Sequence, residues 1–289
     1  MMNDIPPIRE LHAVGSALPT MLQLAIDEGL LIGKTDTERI AFADQVGARA
    51  IEFNALGLHE RVPGLRALFQ QHGVTAAAVR VEAPYDFLAP DEAARQQALD
   101  ALRHAMTDAV DLGASSVVLV PHYGALQFPD LMPYKAPIQL AVELMVTHLR
   151  SLSDLAYVFG VQLMLLPLNR YETGFLNRLD QAVELRRRIK FHQHVWAALD
   201  WFHAAQTEDD PLQALQTQRD SIRHVYLSAA NGTLPGVGQG DFSAVRAALA
   251  DTSGWAVLTH HLAPDADRPT ANAIRNALAH LQQAGFSNQ

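Results

Sequence analysis

The sequence predicts an α/β chain folded as a single (β/α)8 TIM barrel. Short apolar runs of strand length alternate with amphipathic stretches of helical period, the pattern of a parallel sheet wrapped by helices. Eight such pairs follow one another without an intervening linker or low-complexity segment. The length of 289 residues also suits one closed barrel, which needs about 250.

Residues 1–20 precede the first pair and read as an N-terminal extension, leaving 21–289 for the barrel. Met21 to Ile26 is the first strand, followed by a helix over Thr37 to Val46 with Thr35 or Asp36 as cap and Gly47 as stop. Ala50 to Phe53 and Thr75 to Val81 are strands two and three, separated by a short helix over Gly64 to Gln71 that Gly73 ends. A long helix, Asp91 to Leu112, begins after Pro90 and stops at Gly113. Strand four, Ser116 to Val120, leads into a loop rich in Pro and aromatic residues, Pro121 to Pro137, whose length marks it as a lid or pocket wall. The helix Ile138 to Phe159 follows. Strand five is Val161 to Leu166, broken by Pro167, and its helix is Leu179 to Ile189. Val195 to Leu199, His224 to Leu227 and Trp255 to Leu258 are strands six to eight, and Pro269 to Ala284 is the closing helix.

Composition narrows the function. Hydrophobic residues make up 49% and charged residues 18%, enough for a large closed core and unlike a disordered chain. No apolar run approaches the roughly 18 residues of a membrane span, and MMNDIPPIRE lacks the basic-then-apolar pattern of a signal peptide, so a cytoplasmic protein without a membrane partner is expected. Zero cysteines leave His, Asp and Glu as the only side chains for a metal. A net charge of −9 disfavours a nucleic-acid partner; the basic run Arg186, Arg187, Arg188 with Lys190 ends a helix, where cations complement the macrodipole.

Catalytic groups of such barrels sit at the carboxyl ends of the strands. Strand five presents Asn169, Arg170, Glu172 and Asn177 there; strand six ends in Asp200-Trp201-Phe202-His203; strand seven is followed by the glycine-rich run Asn231 to Phe242. Three stretches, PLNRYET, D-x-F-H and P-G-x-G-x-x-D-F, resemble the xylose isomerase-like sugar isomerases and epimerases, including the sugar phosphate branch. The resemblance implies a small polyhydroxylated or keto-acid ligand, carbohydrate chemistry, and proton abstraction beside a carbonyl. It also implies a divalent metal held by a strand-five glutamate, a strand-six aspartate, a strand-seven histidine and a strand-eight glutamate. Here those positions carry Leu166, Asp200, Tyr226 and Thr259. One carboxylate does not hold Mn²⁺ or Mg²⁺ usefully, so no cofactor is expected.

A relocated zinc site remains open, from Asp200, His203 and His122 with one of His260 or His261; strand alternation would turn only one of that last pair inward. Without a metal, His122, His203, Asp200, Glu52 and Tyr226 are the candidate catalytic groups, histidine being the natural proton carrier near neutral pH. Asn169, Arg170, Asn231 and His261 are candidate substrate-binding groups; Arg170 offers a bidentate fork or pairs with Glu172, and Glu52 offers a carboxylate to the pocket or to Arg80. His192 and His194 precede strand six, at the opposite pole. Three readings stand: a metal-independent isomerase or epimerase, an inactive ligand-binding or regulatory relative, and a zinc enzyme with a moved site. Barrels of this kind often pair, so a homodimer is also expected.

Overall fold

The computed structural model describes residues 16–238, 240–261 and 267–287. Eight parallel strands close in chain order: β1 (Leu22–Asp27), β2 (Ala50–Asn54), β3 (Thr75–Val81), β4 (Ser116–Leu119), β5 (Gln162–Leu165), β6 (Val195–Asp200), β7 (Ile222–Leu227) and β8 (Gly254–Leu258). β8 pairs back onto β1, with Leu22 opposite Gly254 and Ile26 opposite Leu258. Around them lie α1 (Asp36–Val46), α2 (Val62–His72), α3 (Glu92–Leu112), α4 (Pro137–Phe159), α5 (Leu179–Arg188), α6 (Trp201–Thr207), α7 (Pro211–Gln218), α8 (Phe242–Ala248) and α9 (Ala271–Gln283). No helix among the described residues is long and apolar enough to cross a membrane. Of the expected N-terminal extension, only residues 16–20 are described; 1–15 lie outside.

Local chemistry explains the helix ends. Thr35 caps α1 through a reciprocal box: its hydroxyl accepts from the Glu38 N–H at 3.2 Å while the Glu38 carboxylate accepts from the Thr35 N–H at 3.3 Å. Gly47 then stops α1 in the left-handed region at φ 83°. α2 starts at Val62, two residues before the expected Gly64, because Pro63 falls in the first turn, where its missing N–H has no partner to lose. α7 was not anticipated; Asp210 caps it and Pro211 begins it, a start signal hidden in the short interval after β6.

Strand alternation divides the apolar residues into two cores. Outward-facing Ile26, Ile51, Val79, Leu119, Leu165, Leu199, Val225 and Leu258 pack beneath the helices, each fully buried side chain of this size contributing roughly 1.5–3 kcal/mol over exposure. The inward set is smaller and mixed: Ala25, Ala78, Val118, Met164, Ala198, Tyr226 and Val257 fill the barrel interior. The next inward positions toward the carboxyl ends are Asp27, Arg80, Val120, Leu166, Asp200 and Thr259, and with Tyr226 these line one cavity. The core therefore gives way to chemistry at the carboxyl ends of the strands.

Candidate active site at the barrel mouth

The cavity at the carboxyl ends has a volume of about 380 Å³ and is lined by both polar and apolar side chains. Leu166, Asp200, Tyr226 and Thr259, the positions at which the resemblance implies metal ligands, all face it. Inside, three aromatic nitrogen and carboxylate groups meet: Asp200, His203 and His261 bring ligand atoms within 4.8 Å of one another. This is the group, among the described residues, with the composition to hold a metal ion.

Asp200 is the last residue of β6 and the N-cap of α6, so one carboxylate oxygen is committed to structure. Oδ1 accepts from the Phe202 N–H at 2.9 Å and the His203 N–H at 3.4 Å. Oδ2 is left for the cavity and lies 2.8 Å from His261 Nε2. Burial alone would raise the Asp200 pKa, but His261, His203 and the cap N–H groups outweigh it and hold the carboxyl at about 2. The same pairing reverses the downward pull of burial on His261, whose pKa is raised. The His261 ring stacks on Phe202 at 4.4 Å and 11°, so its plane is fixed as well as its edge. Its main chain is also held: the His261 N–H donates to the Gly232 carbonyl at 2.8 Å. Gly232 sits at φ 81°, and a Cβ there would lie 2.5 Å from the His261 carbonyl oxygen, so this loop position admits only glycine.

The tautomer of His203 follows from its neighbour. Asn169 Oδ1 accepts from the backbone N–H groups of Tyr171 at 2.9 Å and Glu172 at 3.2 Å, which leaves its amide NH₂ to face His203 Nδ1 at 2.9 Å. An amide N–H donates, so Nδ1 accepts and the neutral ring carries its proton on Nε2. Burial, ahead of all other causes, lowers the His203 pKa and keeps the ring neutral. His203 is thereby a hydrogen-bond donor at the cavity.

Below the mouth lies a charged layer. Arg80 Nη1 donates to Asp27 Oδ2 and to Glu52 Oε1, both at 2.8 Å. Glu52 is buried under the cavity wall, and its other oxygen stands 2.8 Å from His224 Nε2 without hydrogen-bond alignment. The Glu52 to Arg80 pairing anticipated from the sequence is present. Tyr226 lines the cavity while its hydroxyl makes no well-aligned hydrogen bond to any described residue, and burial, then Glu52, raises its pKa well above the ordinary phenol value.

The other expected site residues stand elsewhere. His122 is buried in the β4–α4 connection, not in the cavity wall: Nδ1 lies 2.8 Å from Asp86 Oδ1 and Nε2 3.3 Å from the Ala125 carbonyl. Both nitrogens face acceptors, an arrangement that favours the protonated ring: burial lowers the His122 pKa, but Asp86 outweighs it and the pKa is raised. Of the relocated set expected from the sequence, Asp200, His203 and His261 meet and His122 does not. Arg170 is exposed and reaches the Gln206 carbonyl at 3.5 Å, while Glu172 approaches His203 Nδ1 at 3.8 Å; the anticipated Arg170 to Glu172 pair is not formed. Asn231 closes its own turn, accepting from the Thr233 hydroxyl at 2.7 Å. Both His260 and His261 line the cavity, because β8 ends at Leu258 and the alternation expected to part them ends with it. The β4–α4 loop contributes only its first residues, Tyr123 among them, to the wall. Asp27, Glu82 and Arg268 also face the cavity and were not foreseen; a charge in phase with inward Ala25 was the available signal for Asp27. Gln239 of the strand-seven motif lies outside the described residues, and Asp241 caps α8 as expected of a turn. His194 bonds the Val161 carbonyl at 2.8 Å, below the strands.

A closed parallel barrel carries its functional groups at the carboxyl ends of its strands, where these buried acid–base groups gather. The chain belongs to the xylose isomerase-like TIM barrel family, which it matches over residues 40–284. It is 27% identical over 253 residues to a 3-dehydro-D-guloside 4-epimerase of Escherichia coli (strain K12), covering 85% of this chain and 93% of the relative. It is 33% identical to a D-psicose 3-epimerase of Enterocloster bolteae over 106 residues, 37% of this chain and 35% of the relative. Among solved structures, a 3-keto-D-glucoside 4-epimerase from E. coli superposes with a TM-score of 0.80 at 22% identity, covering 91% of this chain and 99% of that one. A D-psicose 3-epimerase from Clostridium cellulolyticum H10, solved with D-tagatose, gives 0.78 at 18% identity, with 92% and 100% covered. The structural likeness concerns the fold; the curated relatives are sugar epimerases.

Proposed function

We propose that the chain enolises a keto sugar by proton transfer at the carbon beside the carbonyl, the step common to sugar epimerisation and isomerisation, and that it does so without a bound metal ion. The hydrogen bond of 2.8 Å between Asp200 Oδ2 and His261 Nε2 carries this reading. It orients the ring and stabilises the imidazolium that forms when the other nitrogen, Nδ1, accepts a proton, as a carboxylate does for the base of a catalytic triad. Nδ1 makes no hydrogen bond to any described residue. Neutral His203 then donates through Nε2–H to a substrate oxygen, a role for which a lowered pKa suits it. The relatives that act on 3-dehydro-D-guloside and D-psicose support a polyhydroxylated ketone as the substrate class.

The donor set does not fit a divalent ion. Leu166, Tyr226 and Thr259 stand where carboxylates and an imidazole would be required. Of the group that remains, His203 presents a proton on Nε2, since the amide of Asn169 holds Nδ1 as the acceptor. Only Asp200 and His261 are left as ligands, below the three that a catalytic zinc takes from protein.

Exchange of the proton beside the carbonyl tests the reading. Protein dialysed against a chelator is incubated in deuterium oxide with D-psicose, D-fructose, D-tagatose or a methyl 3-keto-D-glucoside, and loss of that proton signal is followed by NMR. Enzyme-dependent exchange with at least one ketone is expected; no exchange with any of them, together with thermal stabilisation by one, would indicate a binding protein that has lost catalysis.

A further inference from the structure

We infer that Glu172 is the second acid–base group of the site, standing across His203 from His261, so that the enolised sugar takes its proton back on the opposite face and the reaction is an epimerisation. The inference rests on the proton-transfer reading above and decides between its two outcomes. When His261 Nδ1 removes the proton, the C–H pair becomes a C=C bond and the carbonyl π pair moves onto oxygen, leaving a planar carbon. A proton returned by the same base restores the starting configuration. Inversion needs an acid on the other face. There the Glu172 carboxyl gives its proton to carbon, the C=C pair forms the new C–H bond and the carbonyl re-forms. Imidazole with carboxylic acid has become imidazolium with carboxylate, the same number of protons, and exchange with solvent resets the pair.

The order of the barrel puts the three groups in a row. Glu172 follows β5, His203 follows β6 and His261 follows β8, and all three line the cavity. The His203 and His261 rings lie 4.8 Å apart, and Glu172 Oε1 lies 3.8 Å from His203 Nδ1. The donor ring thus has a titratable group on each flank. Glu172 is held where it stands: its N–H donates to the Asn169 carbonyl at 3.1 Å and its carbonyl accepts from the Gly124 N–H at 2.7 Å. Oε1 accepts from the Asn169 amide at 3.2 Å, whereas Oε2 makes no hydrogen bond to any described residue. One oxygen orients the carboxyl and the other is left to carry a proton. The side chain is 42% exposed, which gives it the solvent contact that resetting requires.

The other acids of the wall are committed. Asp27 accepts from Arg80 at 2.8 Å and from the Gly29 N–H at 2.7 Å, and Glu82 pairs with Arg80 at 3.1 Å and accepts from the Asn54 amide. Asp200 holds His261 and the start of α6. Among the described carboxylates that line the cavity, Glu172 alone is paired with neither an arginine nor a helix cap. Burial pushes the Tyr123 phenol up, away from the range in which it gives a proton readily. His260 adjoins His261 in the chain and shares its wall, so a proton from it would return to the face it left.

Solvent exchange and stereochemical conversion separate the two halves of the reaction. Chelator-treated protein is incubated in deuterium oxide with the same four ketones, and NMR follows both deuterium in the starting ketone and formation of its epimer. The wild type is expected to give an epimer deuterated at the inverted carbon. Glu172→Gln keeps the oxygen that bonds Asn169 and should leave the thermal midpoint unchanged. With at least one ketone it should lower conversion about 100-fold or more, the usual contribution of an acid–base group, while exchange into the starting ketone stays within about two-fold of the wild type. Wild-type exchange without any epimer, or a Glu172→Gln variant whose conversion is unaltered or falls together with exchange for every ketone, would overturn the role of Glu172 and leave proton transfer intact. Absence of exchange in the wild type would remove both.

Discussion

At the scale of single residues, two hydrogen bonds decide what the site can do. The first, from the Asn169 amide to His203 Nδ1, sets the tautomer on which the proposed metal-independent reading rests. Replacing the amide by a carboxylate inverts that choice: in Asn169→Asp, Nδ1–H would donate to the new acid and Nε2 would become a ligand, as in the carboxylate–histidine–zinc arrangement. Calorimetric titration with Zn²⁺ should show binding at least ten-fold tighter in Asn169→Asp than in the wild type; equal affinity would contradict the assigned tautomer. The second, between Asp200 and His261, predicts that His261→Gln lowers ketone-proton exchange by about 10² to 10⁴, the usual contribution of a general base. A variant exchanging at the wild-type rate would move the base elsewhere.

His122 carries a prediction about stability. Its folded-state pKa is raised above that of the unfolded chain, so the stabilisation it provides is complete below the unfolded value of about 6.5 and is lost as pH rises through the folded value. Thermal midpoints of the wild type and Asp86→Asn should therefore differ most in mildly acidic buffer and converge in alkaline buffer. A constant difference would show that the ring is not an imidazolium in the folded protein.

At the scale of elements, the glycine-rich loop after β7 serves mainly as a clamp for the strand-eight residues. Gly232 takes a left-handed conformation and receives the His261 N–H, so Gly232→Ala both strains the backbone, by about 1–2 kcal/mol, and pushes the His261 main chain away. Denaturant unfolding should report that loss, and the exchange assay a larger proportional loss of rate than of stability. Unchanged rates would separate the loop from the position of His261. Much of this element order was legible in advance, because helix stops such as Gly47 and Gly113 and caps such as Thr35 act within a few residues of themselves. The family resemblance also put Asp200, Tyr226 and Thr259 at one mouth, and all three line the cavity. Alternation failed where strand eight ends: His260 and His261 follow Leu258, and beyond that residue no period governs which way a side chain turns.

At the scale of the whole molecule, the closed barrel brings together residues that sequence proximity cannot relate. His203 meets an amide 34 positions earlier, His261 a carboxylate 61 earlier, and Arg80 a carboxylate 53 earlier. The sugar-converting ancestry is visible in short motifs, whereas the way the site is rebuilt is visible only once the strands are side by side. His122 illustrates the limit: a histidine just after a strand has the right type and place, yet Asp86 from the neighbouring connection draws it out of the cavity wall. The mouth holds its fixed positive charge on Arg80, which is part of the chain and is not removed by dialysis.

Dependence of ketone-proton exchange on added metal tests that account most directly. The exchange rate is measured by NMR on protein freed of metal with a chelator, then on the same protein after addition of Mn²⁺, Mg²⁺ or Zn²⁺. The rate is predicted to survive the chelator and to change less than two-fold on adding any of the three ions; exchange abolished by the chelator and restored by one of them would contradict it.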